Sequence, residues 1–573
     1  MLARHAPILA ALALVALAPA GCFEAPPSPP ALTGVAHPEP ARCLSIVAWN
    51  DLHGQLVPDD PMVDTGHLPA GGVVALADQI ADVRATGDTV VVLDAGDLFT
   101  GPLASTLAEG APVIEAYRIL GVDAAAIGNH EFDFGPVGYE KVTARPELGD
   151  AAGPEGPRGA LLARMAEAPF PFLSANLHRQ GGAETGWPNH RASVTIRKGG
   201  FDVGVVGYTT RDTPTTTLAP NVAGLDFSTQ AAARVAVAIR ALRASGSAPV
   251  VLLAHASLEG ALPQGLGDGA EHKGEIASLV SDLGPDLPDL IVAGHRHAWM
   301  LGRVRGVPIV SSDQHGVGVA RIRFCREQAG PGAPRLIDVE RRLAVASSPP
   351  RSALGAKVAE AMAPWEARVK PVAEAPVARL GKACSNKAPN GTSMEDQVAR
   401  ATAERVADAS APPPGVPVVG LVNAGSLRTS LAAGEVRYAD LFEVLPFENT
   451  VAVCGTTRRG LVRFIENALR KDSARERFPF GIWGAAVRVK RGEGGSLSLA
   501  ALAIDGEKDG AGDDAPVWLA LSDFILTGGD GLLDGVRCAP AVTSQTRVRE
   551  AWRALLAREG GGCDGPSRTV HVE

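Results

Sequence analysis

The hexapeptide Gly128-Asn129-His130-Glu131-Phe132-Asp133 follows the short apolar run Ala124-Ala125-Ala126-Ile127. Asn, His and Asp crowded past a strand end and a glycine turn are costly to bury for packing alone. Four other apolar runs end the same way. Ser45–Trp49 leads into Asn50-Asp51-Leu52-His53-Gly54, and Val90–Leu93 into Asp94-Ala95-Gly96-Asp97. Val250–Ala254 delivers His255, and Leu290–Ala293 delivers Gly294-His295-Arg296-His297. The donors Asp51, His53, Asp97, Asn129, His255, His295 and His297 offer oxygen and imidazole without thiolate, a set suited to zinc, manganese or iron. Seven donors exceed one tetrahedral ion but fit two ions that share a bridging carboxylate. Paired ions of this kind clamp the attacking and leaving oxygens in phosphate-ester hydrolysis. A lone His-x-His is commonly structural; five such elements, each behind its own strand, indicate a site.

Positioning them requires a layered frame. Helical spacing over Gly71–Thr86 and Ala111–Leu120, between the strands, predicts an α/β domain. In open α/β sheets, sites collect at the carboxyl ends of strands. Further strands are expected at Phe172–Leu177, Val203–Gly207, Ile309–Ser312 and Ala320–Phe324, with a Gly/Pro/Ala-rich surface insertion over 145–160. At 573 residues the chain exceeds one core. A catalytic domain over 43–345 is expected, then a linker over 346–371 with a helix from Ser352 to Lys370, then a second domain over 372–573. That second domain places Val418–Arg428, Leu445–Asn449 and Phe524–Gly531 as polar or aromatic turns after apolar strands.

Net charge of −9 gives no electrostatic reason to expect nucleic acid as a partner. Residues 1–22 read as a secretion signal: Arg4, an apolar Ile8–Leu17 core too short to span a bilayer, then Ala18-Pro19-Ala20-Gly21-Cys22. Ala20-Gly21-Cys22 resembles the end of a lipobox, with Pro19 in place of the usual leucine. Lipidation at Cys22 would make a lipid anchor the chain's sole membrane contact and place it in the periplasm or cell envelope. The alternative is plain secretion. The Pro-rich stretch over 23–42 reads as a tether. Without Cys22, six of the seven cysteines remain, enough to pair fully in an oxidising compartment. Domain membership suggests Cys43 with Cys325 and Cys538 with Cys563.

Asp51-x-His53, Gly96-Asp97, Gly128-Asn129-His130-Glu131, His255 and Gly294-His295-x-His297 resemble, in order, the signature of calcineurin-like metallophosphoesterases. Asn50-Asp51-x-His53-Gly54 with Asn129-His130-Glu131-Phe132-Asp133 is similar to the 5′-nucleotidase branch. The resemblance implies a four-layer α/β/β/α catalytic domain joined by a linker helix to a smaller α/β substrate-binding domain, working as a monomer on nucleoside 5′-monophosphates. It implies two divalent ions bridged by Asp97, one held by Asp51, His53 and His297 and the other by Asn129, His255 and His295. His130, oriented by Asp133, would stabilise transition-state charge or protonate the leaving oxygen. In the second domain it implies that Asn423 and Arg428 contact the nucleotide, Phe447 and Phe524 sandwich the base, and Asp530 contacts the ribose. The domains would rotate about the linker to bring this clamp over the metals.

Two departures bear on substrate. Asn423-Ala424-Gly425-Ser426-Leu427-Arg428 stands where the family has Asn-Gly-Gly-Gly-x-Arg, and Lys387–Asp396 lacks the family's upstream arginine. Lysine cannot supply arginine's bidentate fork. Hydrolysis of 2′,3′-cyclic nucleotides or UDP-sugars is the alternative within the family, and a non-catalytic nucleotide-binding lipoprotein the alternative outside it.

Overall fold

The computed structural model describes residues 42–58, 68–135, 156–259, 272–326, 332–386, 392–471, 478–492, 496–508, 510–560 and 569–572. The signal segment, Cys22, the tether up to residue 41, Lys387 and Cys563 lie outside them.

Two mixed sheets stack face to face. The first has seven strands in the order Arg335–Leu343, Gly318–Arg326, Arg42–Trp49, Thr89–Asp94, Ala124–Ala126, Phe172–Leu173, His190–Arg191. The second has six: Met300–Val304, Val307–Ser311, Leu290–Ala293, Val250–His255, Phe201–Thr209, Ser193–Lys198. Alternation in Arg42–Trp49 shows how the layers form. Leu44, Ile46 and Ala48 enter the core between the sheets, against Val203, Val205, Val251 and Leu253. Val47 and Trp49 face the opposite way, onto Val73, Leu76, Ile80 and Tyr117 of the helices Gly72–Arg84 and Ala111–Leu120. Helices Ala231–Ala244 and Glu275–Asp282 cover the second sheet through Val235, Ile239, Ile276 and Val280. The result is a four-layer α/β/β/α domain. Arg42–Trp49, Thr89–Asp94 and Ala124–Ala126 run parallel, as do Phe201–Thr209, Val250–His255 and Leu290–Ala293. Their carboxyl ends therefore share an edge.

A helix over Ala353–Ala373 follows, its N-terminus capped by the Ser352 hydroxyl accepting from the Gly355 amide. Val358, Met362 and Val369 sink into the same core as Val47 and Tyr117, and Trp365 Nε1 donates to Glu115 at 2.8 Å. The helix expected as a hinge is thus built into the catalytic unit. Tyr438 and Phe442 of the second domain close the same core from the other side.

The second domain is a five-stranded sheet, Phe480–Trp483, Val418–Asn423, Pro516–Ser522, Thr450–Thr457, Ala541–Arg547, packed by helices Ser393–Glu404, Arg458–Lys471 and Val548–Glu559. Thr392 and Glu395 form a reciprocal capping box at the first of these helices.

Three expectations need correction. Cys43 and Cys325 are bonded as expected, directly opposite in the register of their strands. Cys538, however, is bonded to Cys454, not to Cys563. The turn at Ala539-Pro540 exchanges backbone hydrogen bonds with Gly455 (2.7 and 2.8 Å), which brings Cys538 against the strand carrying Cys454. Cys384 is also disulfide-bonded. Residues 156–160 are not surface insertion: they open the helix Gly159–Glu167, whose Leu161, Leu162 and Met165 are core, and Arg158 is buried while donating to the Asn221 and Ala223 carbonyls. The strand expected over Phe172–Leu177 ends at Leu173. Beyond it Asn176 turns inward, donating to the Thr209 and Phe227 carbonyls at 2.7 Å each.

Candidate metal centre and active site

Six donors sit two to four residues beyond a strand, and His255 is the last residue of its own. Asp51, His53, Asp97, His295 and His297 all have φ between 49° and 75°, the left-handed region that non-glycine residues seldom occupy. Such strain persists where the surrounding structure over-determines it, and it clusters at functional sites. Two glycines give room: a Cβ on Gly128 would lie 2.1 Å from Asp97 Oδ1, and one on Gly96 would lie 2.8 Å from His255 Nδ1.

The side chains converge in two groups that share Asp97. Asp51, His53, Asp97 and His297 form one; Asp97, His255 and His295 form the other. In the first, His53 Nε2 lies 3.0 Å from His297 Nε2, and Asp51 Oδ1 lies 3.2 Å from His297 Nε2. In the second, His255 Nε2 lies 3.0 Å from Asp97 Oδ2. Asn129 joins the second group, its Oδ1 3.0 Å from His295 Nδ1.

Hydrogen bonds behind the donors decide which atoms point inward. His53 Nδ1 donates to the Thr100 carbonyl at 3.0 Å, and His255 Nδ1 to the Ala95 carbonyl at 2.9 Å. Both Nε2 atoms therefore carry lone pairs into the site, as ligating histidines do. Asp97 Oδ1 accepts from the His130 amide at 2.9 Å, leaving Oδ2 for the shared position. Asp51 Oδ2 accepts from Asn50 Nδ2 and the His295 amide, leaving Oδ1. The atoms left over, Asp51 Oδ1, Asp97 Oδ2 and His255 Nε2, are buried without hydrogen-bond partners. Lone pairs facing lone pairs at 3 Å repel unless a cation or a proton lies between them. The donor set fits two divalent ions.

Without an ion a proton takes that place: burial lowers the His255 imidazole, but the facing Asp97 carboxylate outweighs it and pushes it up to about 10. Burial pushes the Asp97 carboxyl up, but His255 and His130 more than offset it and hold it well below the ordinary value. Burial and the neighbouring His297 drive His53 well below its ordinary value. Burial also lowers His130, yet the Asp133 and Asp97 carboxylates outweigh it, so this imidazole is raised.

His130 belongs to neither donor group. Its Nδ1 lies 2.7 Å from Asp133 Oδ2, and its ring is 5.2 Å from that of His53. The second domain reaches this spot. Phe447 stacks on His130 at 5.5 Å and 25°, and Arg428 Nη2 lies 3.4 Å from both His53 Nε2 and His297 Nε2. A guanidinium thus aims its positive charge at the lone pairs of the first donor group. Asn423 Nδ2 donates to Asp530 Oδ2 at 2.8 Å, joining two of the expected nucleotide contacts. Phe524 lies beside the Asp530 turn. It is 9% exposed in the second domain's core, and a Cβ on Gly529 would strike its ring at 2.5 Å.

Sequence reasoning missed Glu131. Its carboxylate accepts from the amides of Asp97 (3.0 Å), Leu98 (2.6 Å) and Gly128 (2.6 Å), tying two donor loops together. Its place inside the hexapeptide was the available signal. Thr217, which donates to Asp133 Oδ1 at 2.9 Å, carried none.

Two groups of strand-end donors that could hold metal ions thus lie in a four-layer domain, facing a second α/β domain. Residues 371–535 match the family of the 5′-nucleotidase C-terminal domain, and that match falls on the domain that follows the four-layer one. A snake venom 5′-nucleotidase of Gloydius brevicauda is 32% identical over 206 residues, 34% of this chain and 32% of that relative. The match therefore spans about a third of the relative's length. The crystal structure of a 5′-nucleotidase precursor from Thermus thermophilus superposes with a TM-score of 0.72 at 20% identity, covering 92% of this chain and 99% of that one. A sulfate thiohydrolase from Thermus thermophilus, solved with glycerol, gives 0.68 at 17% identity, covering 93% and 97%. At such identities the shared feature is the fold.

Proposed function

We propose that the chain is a two-metal phosphohydrolase that releases phosphate from nucleoside 5′-monophosphates. The observation that carries this reading is the pair of donor groups sharing Asp97, with Arg428 and Phe447 of the nucleotidase-type domain laid against them. Asp51, His53, Asp97 and His297 hold one ion; Asp97, Asn129, His255 and His295 hold the other. Bound there, the ions supply Lewis acidity, neutralising phosphoryl charge and lowering the pKa of water.

The chain's own residues do the rest. Glu131 keeps the Asp97 and Asn129 loops in register. Asp133 holds the His130 imidazole by its Nδ1, so that the opposite nitrogen presents a proton to the leaving oxygen. Arg428 meets the phosphate, and Phe447 offers the base an aromatic face. Asn423 and Asp530 receive the ribose, and Phe524 supports the base from within the core. Cys22, lipidated, tethers the enzyme outside the cytoplasm, a setting that suits the Cys43–Cys325 and Cys454–Cys538 bonds.

The test is hydrolysis by the purified full chain, with added manganese or zinc, of AMP, 2′,3′-cyclic AMP, UDP-glucose and p-nitrophenyl phosphate. AMP turned over most efficiently, and lost on chelation, is the expected result. Preference for the cyclic or sugar nucleotide would reassign the substrate while keeping the metal chemistry; no turnover of any of them would overturn the enzyme reading.

A further inference from the structure

The segment Thr210–Val222 belongs to the catalytic domain but touches three things at once. On one side its short helix Thr213–Thr216 lies against the second domain's turn Gly529–Gly531, where Asp530 is bonded to Asn423. Leu218 packs onto the second domain's core. On the other side it holds the active site. The Thr217 hydroxyl donates to Asp133 Oδ1 at 2.9 Å, while Asp133 Oδ2 is the atom bound to His130. The Thr216 carbonyl accepts from Asn129 Nδ2 at 3.4 Å, which turns the amide so that Oδ1 faces His295. Asn221 Nδ2 donates to the Phe132 carbonyl at 2.6 Å. Thr213, Thr217 and Asn221 are all buried.

We infer that this segment is a relay through which docking of the second domain sets the orientation of the His130–Asp133 pair and of Asn129, with Thr217 as the positioning residue. A carboxylate with one oxygen on an imidazole swings freely unless the other oxygen is fixed, and Thr217 is the side chain that fixes it. Docking presses the Gly529–Gly531 turn on Thr213–Thr216 and seats Leu218. Without that support, Thr216 and Thr217 lose the register from which they hold Asn129 and Asp133. The segment does not touch the reacting atoms. Its effect is on how often His130 is correctly aimed, so it acts on turnover more than on affinity. The turnover part of this inference rests on the phosphohydrolase reading; the mechanical part does not.

Four variants of the full chain test it. Thr217→Val keeps shape and removes the donor; it should lower kcat for AMP and for p-nitrophenyl phosphate alike by about 10- to 100-fold, the range for residues that orient catalytic groups from behind. KM should stay within about twofold, and two ions should remain per chain. Thr217→Ser, which keeps the donor, should recover most of the rate. Leu218→Ala loosens the docked side and should lower kcat in the same sense but less. Arg211→Ala, on the same segment but bonded to Glu275 instead of the site, should leave the rates near wild type. Wild-type kcat in Thr217→Val, or failure of Thr217→Ser to rescue, would overturn the assignment. Should wild type hydrolyse neither ester, the phosphohydrolase reading falls, and hydrogen–deuterium exchange decides the relay. Faster exchange of residues 128–135 in Leu218→Ala supports the relay; unchanged exchange there rejects it.

Discussion

The proposed metal centre and the proposed nucleotide clamp differ in how they are built. All seven proposed donors come from one domain, behind parallel strands, and five of them sit on left-handed backbone. The clamp is spread over loops of the other domain and reaches the centre across an interface, through Arg428, Phe447 and the Asp530 turn. The contrast suggests a division of labour. On the proposed reading, chemistry is pre-organised in a rigid frame, where small displacements are costly, and selectivity comes from residues that reach it across the interface.

Breaking the centre should have the largest effect. Asp97→Ala removes the shared ligand, so both ions and hydrolysis of every ester should be lost together; two ions retained in elemental analysis would refute the bridging role. His130→Ala should keep both ions and lower kcat by roughly 100-fold or more, the usual range for a general acid. Next comes the clamp. Phe447→Ala removes a stacking face worth about 1–3 kcal/mol per base, a KM increase for AMP of about 5- to 150-fold. The small ester lacks a base and should show little change in KM. The smallest effect is a shift in pH dependence. The carboxylates of Asp133 and Asp97 hold His130 above its ordinary value. Asp133→Asn removes one of them, so the imidazolium should lose its proton at lower pH. A rate that needs the protonated form should then fall at lower pH than in wild type. Movement of that limb toward higher pH would contradict the assignment.

The same contrast governs what the sequence disclosed. Donors behind strands are legible because a continuous apolar run marks a buried strand and the polar residues directly after it have no packing reason to be there. Asp51, His53, Asp97, Asn129, His255, His295 and His297 all stand out on that ground. Roles that depend on distant partners leave no local trace. Thr217 looks like any threonine until the fold places it on Asp133, 84 residues away. The Cys454–Cys538 bond follows from a turn docking on a strand, not from spacing. Gly159–Glu167 was hidden by the Gly/Pro/Ala-rich composition around it, although Leu161, Leu162 and Met165 have helical spacing. Phe524 has a second role that the resemblance did not disclose. The fold gives it a core environment, so Phe524→Ala should cost about 3–5 kcal/mol of stability, as for buried phenylalanines generally. Tm would drop, and a selective loss of AMP binding alone would show that the ring serves the base more than the core.

The claim that one domain supplies the whole metal centre is tested most directly at Arg428, the second-domain residue nearest the donors. Its guanidinium lies 3.4 Å from two of the imidazole nitrogens and, as a cation, opposes metal binding instead of assisting it. Metal content and affinity of Arg428→Ala, measured on the full chain by elemental analysis and calorimetry, should show two ions per chain, bound at least as tightly as in wild type. Loss of either ion would mean that the centre is completed across the interface, and that chemistry and selectivity are not divided between the domains.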